Sequence, residues 1–373
     1  MLDSAHLRTQ YVEVMQLTRV ALTMFVVVLS FYVLHLGQSI LLPLVIAGAI
    51  AYLINIFADA IGSVRISERS LPKSLTFIIA VVAIALSLTW VVQLITDNVY
   101  YVIKQAPLYE ANLEKRINGI YQMLGLEESP SVHELLKQAD LSTMLQGLAK
   151  SASALAGSAG IICVYLIFLL LEQRTFDAKI KAIVRQPLQQ KALFQLLEKI
   201  NNDICTYIGI KVLTSATTGL LSYFILQWIG VDSASFWAVL IFLLNFIPTI
   251  GSIIATAFPA LLTLVQFEGW APFFIVAIAI TGLQFTVGSI LEPRLMGSRL
   301  NLSPLILLLS LALWGSIWGI PGMFLCVPLT VIIMIICSYF PQTRSLAVVL
   351  SGDGSLSEGS KTIQDDSISE KAS

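Results

Sequence analysis

Between residues 236 and 267 a long apolar run is interrupted by Asn245-Phe246-Ile247-Pro248-Thr249-Ile250-Gly251-Ser252. This break constrains the fold more than any other stretch. In a hydrocarbon core every backbone N–H and C=O must find a partner inside the protein, and proline removes one donor. A polar, Pro- and Gly-bearing interruption is therefore tolerated only where the broken backbone faces protein or a water-filled cavity. The arm before it, residues 236–247, reaches about 18 Å at about 1.5 Å per residue, well short of the roughly 30 Å hydrocarbon thickness. The pattern predicts a re-entrant helical hairpin in preference to two ordinary spans joined by a loop.

A second interruption lies downstream, where Gly319-Ile320-Pro321-Gly322 divides the runs 303–318 and 323–339. Each arm is again marginal for a crossing. Both tips carry an Ile-Pro step, Ile247-Pro248 and Ile320-Pro321, with a glycine close behind. Paired interrupted segments of this kind point to a transporter site, because free helix ends aim partial charges at a solute. No wider identity joins the two halves.

The rest of the composition agrees with a membrane environment. Of 373 residues, 57% are hydrophobic and only 12% charged, against about 25% charged in a soluble domain. The expected class is an all-α polytopic membrane protein with about six full spans and two discontinuous, re-entrant helical hairpins. Its net charge of -1 suggests no nucleic-acid partner. Cys163, Cys205, Cys326 and Cys337 are scattered without a CxxC pair and read as small buried hydrophobes. His6, His35 and His133 form no cluster, and the zinc-protease-like start His133-Glu134 meets Lys137 where a second His is required. Neither GxSxG nor a Walker A sequence occurs, so hydrolysis and ATP-driven chemistry are unsupported. No enzyme activity, cofactor or metal is expected. The expected partners are the lipid bilayer and a small-molecule substrate.

In chain order, residues 1–16 read as a cytoplasmic N-terminus and 17–95 as three spans, at 17–36, 40–57 and 74–95. The first span has no cleavage site behind it and reads as an uncleaved anchor. Residues 96–153 are a polar insert with helical apolar spacing, expected to form two or three amphipathic helices at or above the membrane. A fourth span follows within 154–172, then cytoplasmic amphipathic helix over 173–205. Residues 206–343 form the expected transport core: a fifth span at 207–228, the hairpin near 236–267, a sixth span at 272–291, a turn at 292–299 and the hairpin near 303–339. The tail 344–373 is rich in Ser, Gly and Asp and is expected to be disordered. Lys and Arg cluster at 59–73, 173–205 and 292–299, which places both termini inside and the 96–153 insert outside.

Each candidate residue has a functional and a bland reading. Asn245 offers amide donors and an acceptor for a hydroxylated solute or a cation, or it simply caps the broken backbone. Thr249, Gly251 and Ser252 stand where the second arm begins and its N–H groups favour oxygen-rich ligands. Pro248 and Pro321 shape the tips, and Gly251, Gly319 and Gly322 permit the turns or close packing. Gln284 can line the path or bond a neighbouring helix. Glu292 and Arg294 flank Pro293 as a gate or proton-coupling pair, or as an interfacial ion pair. Lys211 is a coupling candidate, or it snorkels to the inner surface.

Several local sequences carry a family resemblance: Asn245-Phe246-Ile247-Pro248-x-x-Gly251, Glu292-Pro293-Arg294-Leu295-Met296-Gly297, Leu302-Ser303-Pro304-Leu305, Trp314-Gly315-x3-Gly319-Ile320-x-Gly322-Met323 and Val327-Pro328-Leu329-Thr330. Together they resemble the signature of the autoinducer-2 exporter family of bacterial permeases, over about the last third of the chain. Pro321 stands where that resemblance leads one to expect a variable residue. The resemblance implies a multi-pass protein of the bacterial inner membrane that works without an ATPase, by alternating access, as a homo-oligomer with five subunits the expected number. The leading expectation is a secondary transporter that exports a small polar organic solute, with the quorum-sensing signal autoinducer-2 the substrate the family suggests. A sodium/proton antiporter is the alternative, disfavoured because the acids between 236 and 339, Glu268 and Glu292, lie at predicted ends. A non-transporting scaffold binding an envelope partner through the 96–153 insert is the third.

Overall fold

A computed structural model of the chain describes residues 15, 18, 21–22, 24–63, 72–123, 141–173, 175–297 and 301–355. Secondary structure among these residues is helical apart from one isolated antiparallel bridge, Leu302 to Ser351. The helices are α1 (Met24–Leu36), α2 (Gln38–Ser63), α3 (Lys73–Met123), α4 (Leu141–Glu172), α5 (Phe176–Ile183), α6 (Pro187–Ile229), α7 (Ala234–Leu244), α8 (Ile250–Gln266), α9 (Ala271–Phe285), α10 (Glu292–Met296), α11 (Pro304–Tyr339) and α12 (Arg344–Leu350). Among the described residues five helical stretches are long and apolar enough to cross a membrane by length and composition, α11 counted as one although it is folded at Gly319, or six if the bent pair over 157–183 counts as one span. The chain is a multi-pass, all-α membrane protein.

The helices run further than the segments read from the sequence. The third span, expected at 74–95, falls within the stretch Lys73–Asn98 that is apolar enough to cross, but its helix α3 continues unbroken for 51 residues, about 75 Å at about 1.5 Å per residue, so the first part of the expected insert is the same helix carried onward. Likewise α6 spans 43 residues and joins most of the amphipathic stretch 173–205 to the fifth span without a break. In both, polar helix formers simply succeed the apolar ones, and nothing in the composition stops the helix. The tail is not without structure at its start. α12 buries Ala347, Ser303 N–H donates to Leu350 O at 3.1 Å, and Gly352 N–H donates to Asn301 O at 3.0 Å. The short apolar run Leu346-Ala347-Val348-Val349-Leu350 supplies that helix. The expected N-terminal segment and the far tail, 1–14 and 356–373, lie outside the described residues, as does the middle of the insert, 124–140.

Both interruptions fold the chain back on itself. α7 and α8 are joined through Asn245–Thr249 and form the first hairpin. In α11 the helix breaks at Gly319, with φ 62° and ψ -142°. The Trp314 indole N–H donates to Thr330 Oγ1 at 3.3 Å. Sixteen residues of straight helix would separate these two by about 24 Å, so the arms of α11 lie side by side as the second hairpin. The stretch Ala271–Met296, which is 26 residues long and so about 39 Å, carries the chain from the base of the first hairpin to the base of the second. The two hairpins therefore start from opposite ends of the bundle. Their tips meet: Phe246 stacks on Phe324 with ring centroids 6.0 Å apart, and Ile247 packs in one cluster with Trp314, Ile317 and Trp318.

The base of the first hairpin is gripped by the far end of α3. Tyr109 donates its hydroxyl to Asp232 at 3.1 Å, Asn112 donates to Val265 O at 2.8 Å, and Arg116 donates to Phe267 O and, at 3.1 Å, to Gly269 O. The Arg116 guanidinium also lies 5.1 Å from the centre of the Trp270 ring.

Candidate functional site: a buried polar row where the hairpin tips meet

α6 is the element on which the site is built. Lys211, Thr214, Ser215, Thr218 and Ser222 are all buried. At about 100° per residue they share an arc roughly 100° wide, so one face of an otherwise apolar helix is polar. Gly219 belongs to the same region. A Cβ there would sit 3.0 Å from Ala238 O, so its bare backbone lets α7 come close.

Lys211 does not snorkel. Its Nζ donates to both oxygens of Glu292, at 2.8 and 3.0 Å, with side-chain exposures of 9% and 16%. The position of Glu292 follows from Pro293. Proline has no N–H to give to the carbonyl four residues back, and its ring crowds that carbonyl. The chain widens into a π turn over Thr286–Leu291, and Glu292 N–H bonds Val287 O, five residues back. The expected turn at 292–299 is thus helical through Met296 and ends at Gly297, where φ is 58°. π turns recur at functional sites because they redirect one side chain without breaking the helix. Here that side chain is the carboxylate facing Lys211. Arg294 is exposed and does not pair with Glu292, so the expected Glu292–Arg294 grouping is replaced by Lys211–Glu292.

One turn from Lys211, Ser215 receives the tip of the first hairpin, where Asn245 Nδ2 donates to Ser215 Oγ at 3.1 Å. The second hairpin closes the other side. Cys326 and Tyr207 lie within electrostatic range of Lys211 and Glu292 respectively, and both belong to the apolar cluster that also holds Trp314 and Ile247.

The tips themselves are tightly closed. A Cβ on Gly251 would stand 1.8 Å from Leu244 O, and one on Gly322 would stand 2.0 Å from Trp314 O. Thr249 carries φ 60° and ψ -60°, a conformation few β-branched residues adopt. Pro248 precedes it, and its carbonyl accepts from Ile250 N–H at 2.6 Å. Thr249 is exposed, and Ser252 turns its hydroxyl onto Thr249 O at 2.8 Å. Pro321 is half-buried beside Gly322, and Gly319 is exposed at the kink. Gln284 is buried on α9. The fold therefore brings Asn245, Lys211 and Glu292 onto one line, with Gly251, Pro321 and Gly322 at the adjoining tips. It leaves Arg294 and Thr249 facing outward. The sequence reading missed Thr214, Ser215, Thr218 and Ser222. Their recurrence every three or four residues in the fifth span was the available signal, and it was masked by the tolerance of apolar helices for hydroxyls bonded to their own backbone.

Comparison with known proteins assigns this architecture. Residues 22–342 match the family described as AI-2E family transporter. The chain belongs to the AI-2E transporter family. It is 33% identical over 261 residues to a transport protein of Borreliella burgdorferi, covering 70% of this chain and 72% of that one. It is 30% identical over 311 residues to one from Haemophilus influenzae, covering 81% and 89%. It is also 29% identical over 324 residues to the AI-2 transport protein TqsA of Escherichia coli K12, covering 85% and 91%. The match extends well beyond the last third that carries the recognisable motifs and includes α2, α3 and α6. Membership makes the chain a multi-pass membrane transporter.

Proposed function

We propose that the chain exports a small, oxygen-rich polar organic solute by alternating access, with autoinducer-2 the substrate named by the family and by its relative TqsA. The observation that carries this reading is the buried row Asn245, Ser215, Lys211 and Glu292 at the place where the two hairpin tips meet. The two hairpins start from opposite ends of the bundle, so parting one and then the other would expose the row to each side in turn. The broken helix ends present N–H and C=O groups there, as discontinuous helices of transporters do. The binding and translocation set is Asn245, Pro248, Thr249, Gly251, Ser252, Gln284, Gly319, Pro321 and Gly322, with Lys211 and Glu292 as coupling groups and Arg294 at the inner surface. An inner-membrane location with both termini cytoplasmic and a homo-oligomer of five copies belong to the same proposal. Native mass measurement of the lipid-extracted particle tests the copy number.

Flux tests the central claim. Purified protein in liposomes loaded with autoinducer-2, under imposed proton and sodium gradients, is expected to release the signal, and Asn245→Ala is expected to abolish release while assembly persists. Release at the level of empty liposomes from well-assembled protein refutes autoinducer-2 as substrate.

A sodium/proton antiporter is favoured by one observation the sequence did not reveal: the Glu292 carboxylate is 16% exposed and is held by Lys211 inside the bundle. Internal pH that responds to sodium without solute release would establish that reading in place of the first.

A further inference from the structure

Four side chains outside the Asn245–Glu292 row carry a buried hydrogen-bond donor atom without a partner among the described residues: Arg116 Nη1 at the base of the first hairpin, and, deeper between the helices, the Ser222 hydroxyl, the Trp237 indole N–H and the Gln284 amide N–H. The last three come from α6, α7 and α9. Three contacts fix how these helices run past one another. The Asn245–Ser215 bond and the close approach of Gly219 to Ala238 set the antiparallel register of α7 on α6, which brings Trp237 level with Tyr223, beside Ser222. The Lys211–Glu292 pair sets α9 on α6 in the same sense and brings Gln284 level with Gly219. The three residues separating Gly219 from Ser222 amount to about 5 Å along the axis, within the reach of a glutamine side chain. The facing is also consistent. Leu226, Trp237, Ile241, Val276 and Ile280 share one cluster, and Gln284 follows Ile280 by one turn on the buried face of α9.

We propose that Ser222, Trp237 and Gln284 form a second solute-binding layer, one to two turns from the tip of the first hairpin toward its base, selective for a neutral solute rich in carbonyl and hydroxyl oxygens. The layer deepens the function proposed above and rests on it. Its unpaired atoms are donors. The Trp237 indole N–H and the Gln284 Nε2–H donate, and the Ser222 hydroxyl can donate or accept, so a guest rich in acceptor oxygens satisfies all three. Its neutrality follows from charge. α6 beyond Lys211, α7, α8 and α9 contain no charged residue, and the Lys211 charge is taken by Glu292. An anion in this layer would be desolvated without compensation. The layer is closed in this conformation, since all three donor atoms are shielded and Gly219 packs against α7. A solute reaches it when the first arm of the hairpin parts from α6, and binding there stabilises the parted arrangement.

The test uses the full chain in nanodiscs, with autoinducer-2, dihydroxyacetone and erythrulose as probes, read by calorimetry and by thermal melting. At least one probe is expected to bind the parent protein. Ser222→Ala and Gln284→Leu are each expected to weaken that probe about 3–10-fold, the worth of one hydrogen bond. Trp237→Phe tests the third donor with the ring kept. The melting temperature of each free variant should be unchanged or higher, because a donor unpaired in the resting fold destabilises it. A lower melting temperature would show that the donors serve the resting fold and would overturn the proposal. So would equal affinity in parent and variants, or no binding of any probe to the parent. Binding lost in Asn245→Ala but kept in both layer variants overturns the layer and leaves the tip site standing. Binding lost in the layer variants, with normal flux in Asn245→Ala, does the reverse.

Discussion

Replacing Glu292 with glutamine removes the charge facing Lys211 but keeps the volume. Both partners are largely desolvated, at 9% and 16% exposure, and the ammonium touches both carboxylate oxygens at 2.8 and 3.0 Å. Removing one member of such a pair leaves a buried charge without its counter-charge, which costs about 3–5 kcal/mol. Lys211→Met should cost a similar amount. Removing both charges together should cost far less, because an apolar or neutral pair of similar volume is commonly as stable as the ion pair it replaces. The expected coupling energy is therefore large, at least about 2 kcal/mol. The assay is a double-mutant cycle on thermal unfolding in nanodiscs, with chromatographic assembly as a control. At about 2–4 °C per kcal/mol for domains of a couple of hundred residues, each single variant should melt roughly 6–20 °C lower and the double variant close to the parent. If the single losses simply add in the double variant, with coupling below about 0.5 kcal/mol, the pair is not a desolvated unit and its proposed role in coupling fails. A double variant that folds but no longer transports would assign the pair to function rather than to assembly.

The remaining predictions concern the tips and the two anchored bases. Gly251→Ala and Gly322→Ala would drive a methyl to within 1.8 and 2.0 Å of carbonyl oxygens, so each should block closure of its hairpin, read as loss of the assembled peak, whereas Gly282→Ala, where a Cβ meets nothing within 4 Å, should be silent. Thr249→Gly relieves a residue at φ 60° and should stabilise by about 1 kcal/mol, visible as a raised melting temperature; a lower one would mean the Thr249 side chain holds the tip. Arg116→Ala should leave the spans intact but raise hydrogen exchange over residues 267–270, the turn in which it holds the carbonyls of Phe267 and Gly269. Asp353 is held down to about 2 by hydrogen bonds from Ser355 and Asn301. A depressed carboxylate contributes above its unfolded value and is lost only as pH falls through its folded one, so exchange protection at 301–302 and 351–353, taken relative to the unstructured rate at each pH, should be unchanged from pH 7 to pH 5 and should fall in Asp353→Asn.

Much of this was legible in the residues because lipid imposes simple rules. Asn245-Phe246-Ile247-Pro248 and Gly319-Ile320-Pro321-Gly322 break apolar runs too short to cross, and both proved to be hairpin turns. What the sequence hid was mostly helix continuing where polarity changes. Periodicity distinguishes apolar from amphipathic helix, but α3 and α6 contain both in one rod, and no stop signal marks where the apolar part ends. The Lys211–Glu292 pair was illegible for a different reason. Eighty-one residues separate its members, and only the π turn enforced by Pro293 aims the carboxylate inward. Position near a predicted span end made both residues look interfacial. The hydroxyl face of α6 could have been read from the spacing of Ser215, Thr218 and Ser222, although only the fold shows that it meets Asn245.

The length of α3 has a mechanical consequence. Its first stretch, Lys73–Asn98, suffices for a crossing, so the 25 residues that follow to Met123 project about 37 Å past it. Tyr109, Asn112 and Arg116 touch the hairpin base part-way along this projection, which makes the projection a lever with its load near the middle. Torque applied near Met123 is delivered to Asp232 and to the carbonyls of Val265 and Phe267, since an unbroken helix bends little over that distance. A ligand or antibody fragment that seizes the far end would thus brake the hairpin without approaching the solute's route, and a neighbouring membrane or envelope component that displaced it would act as a throttle.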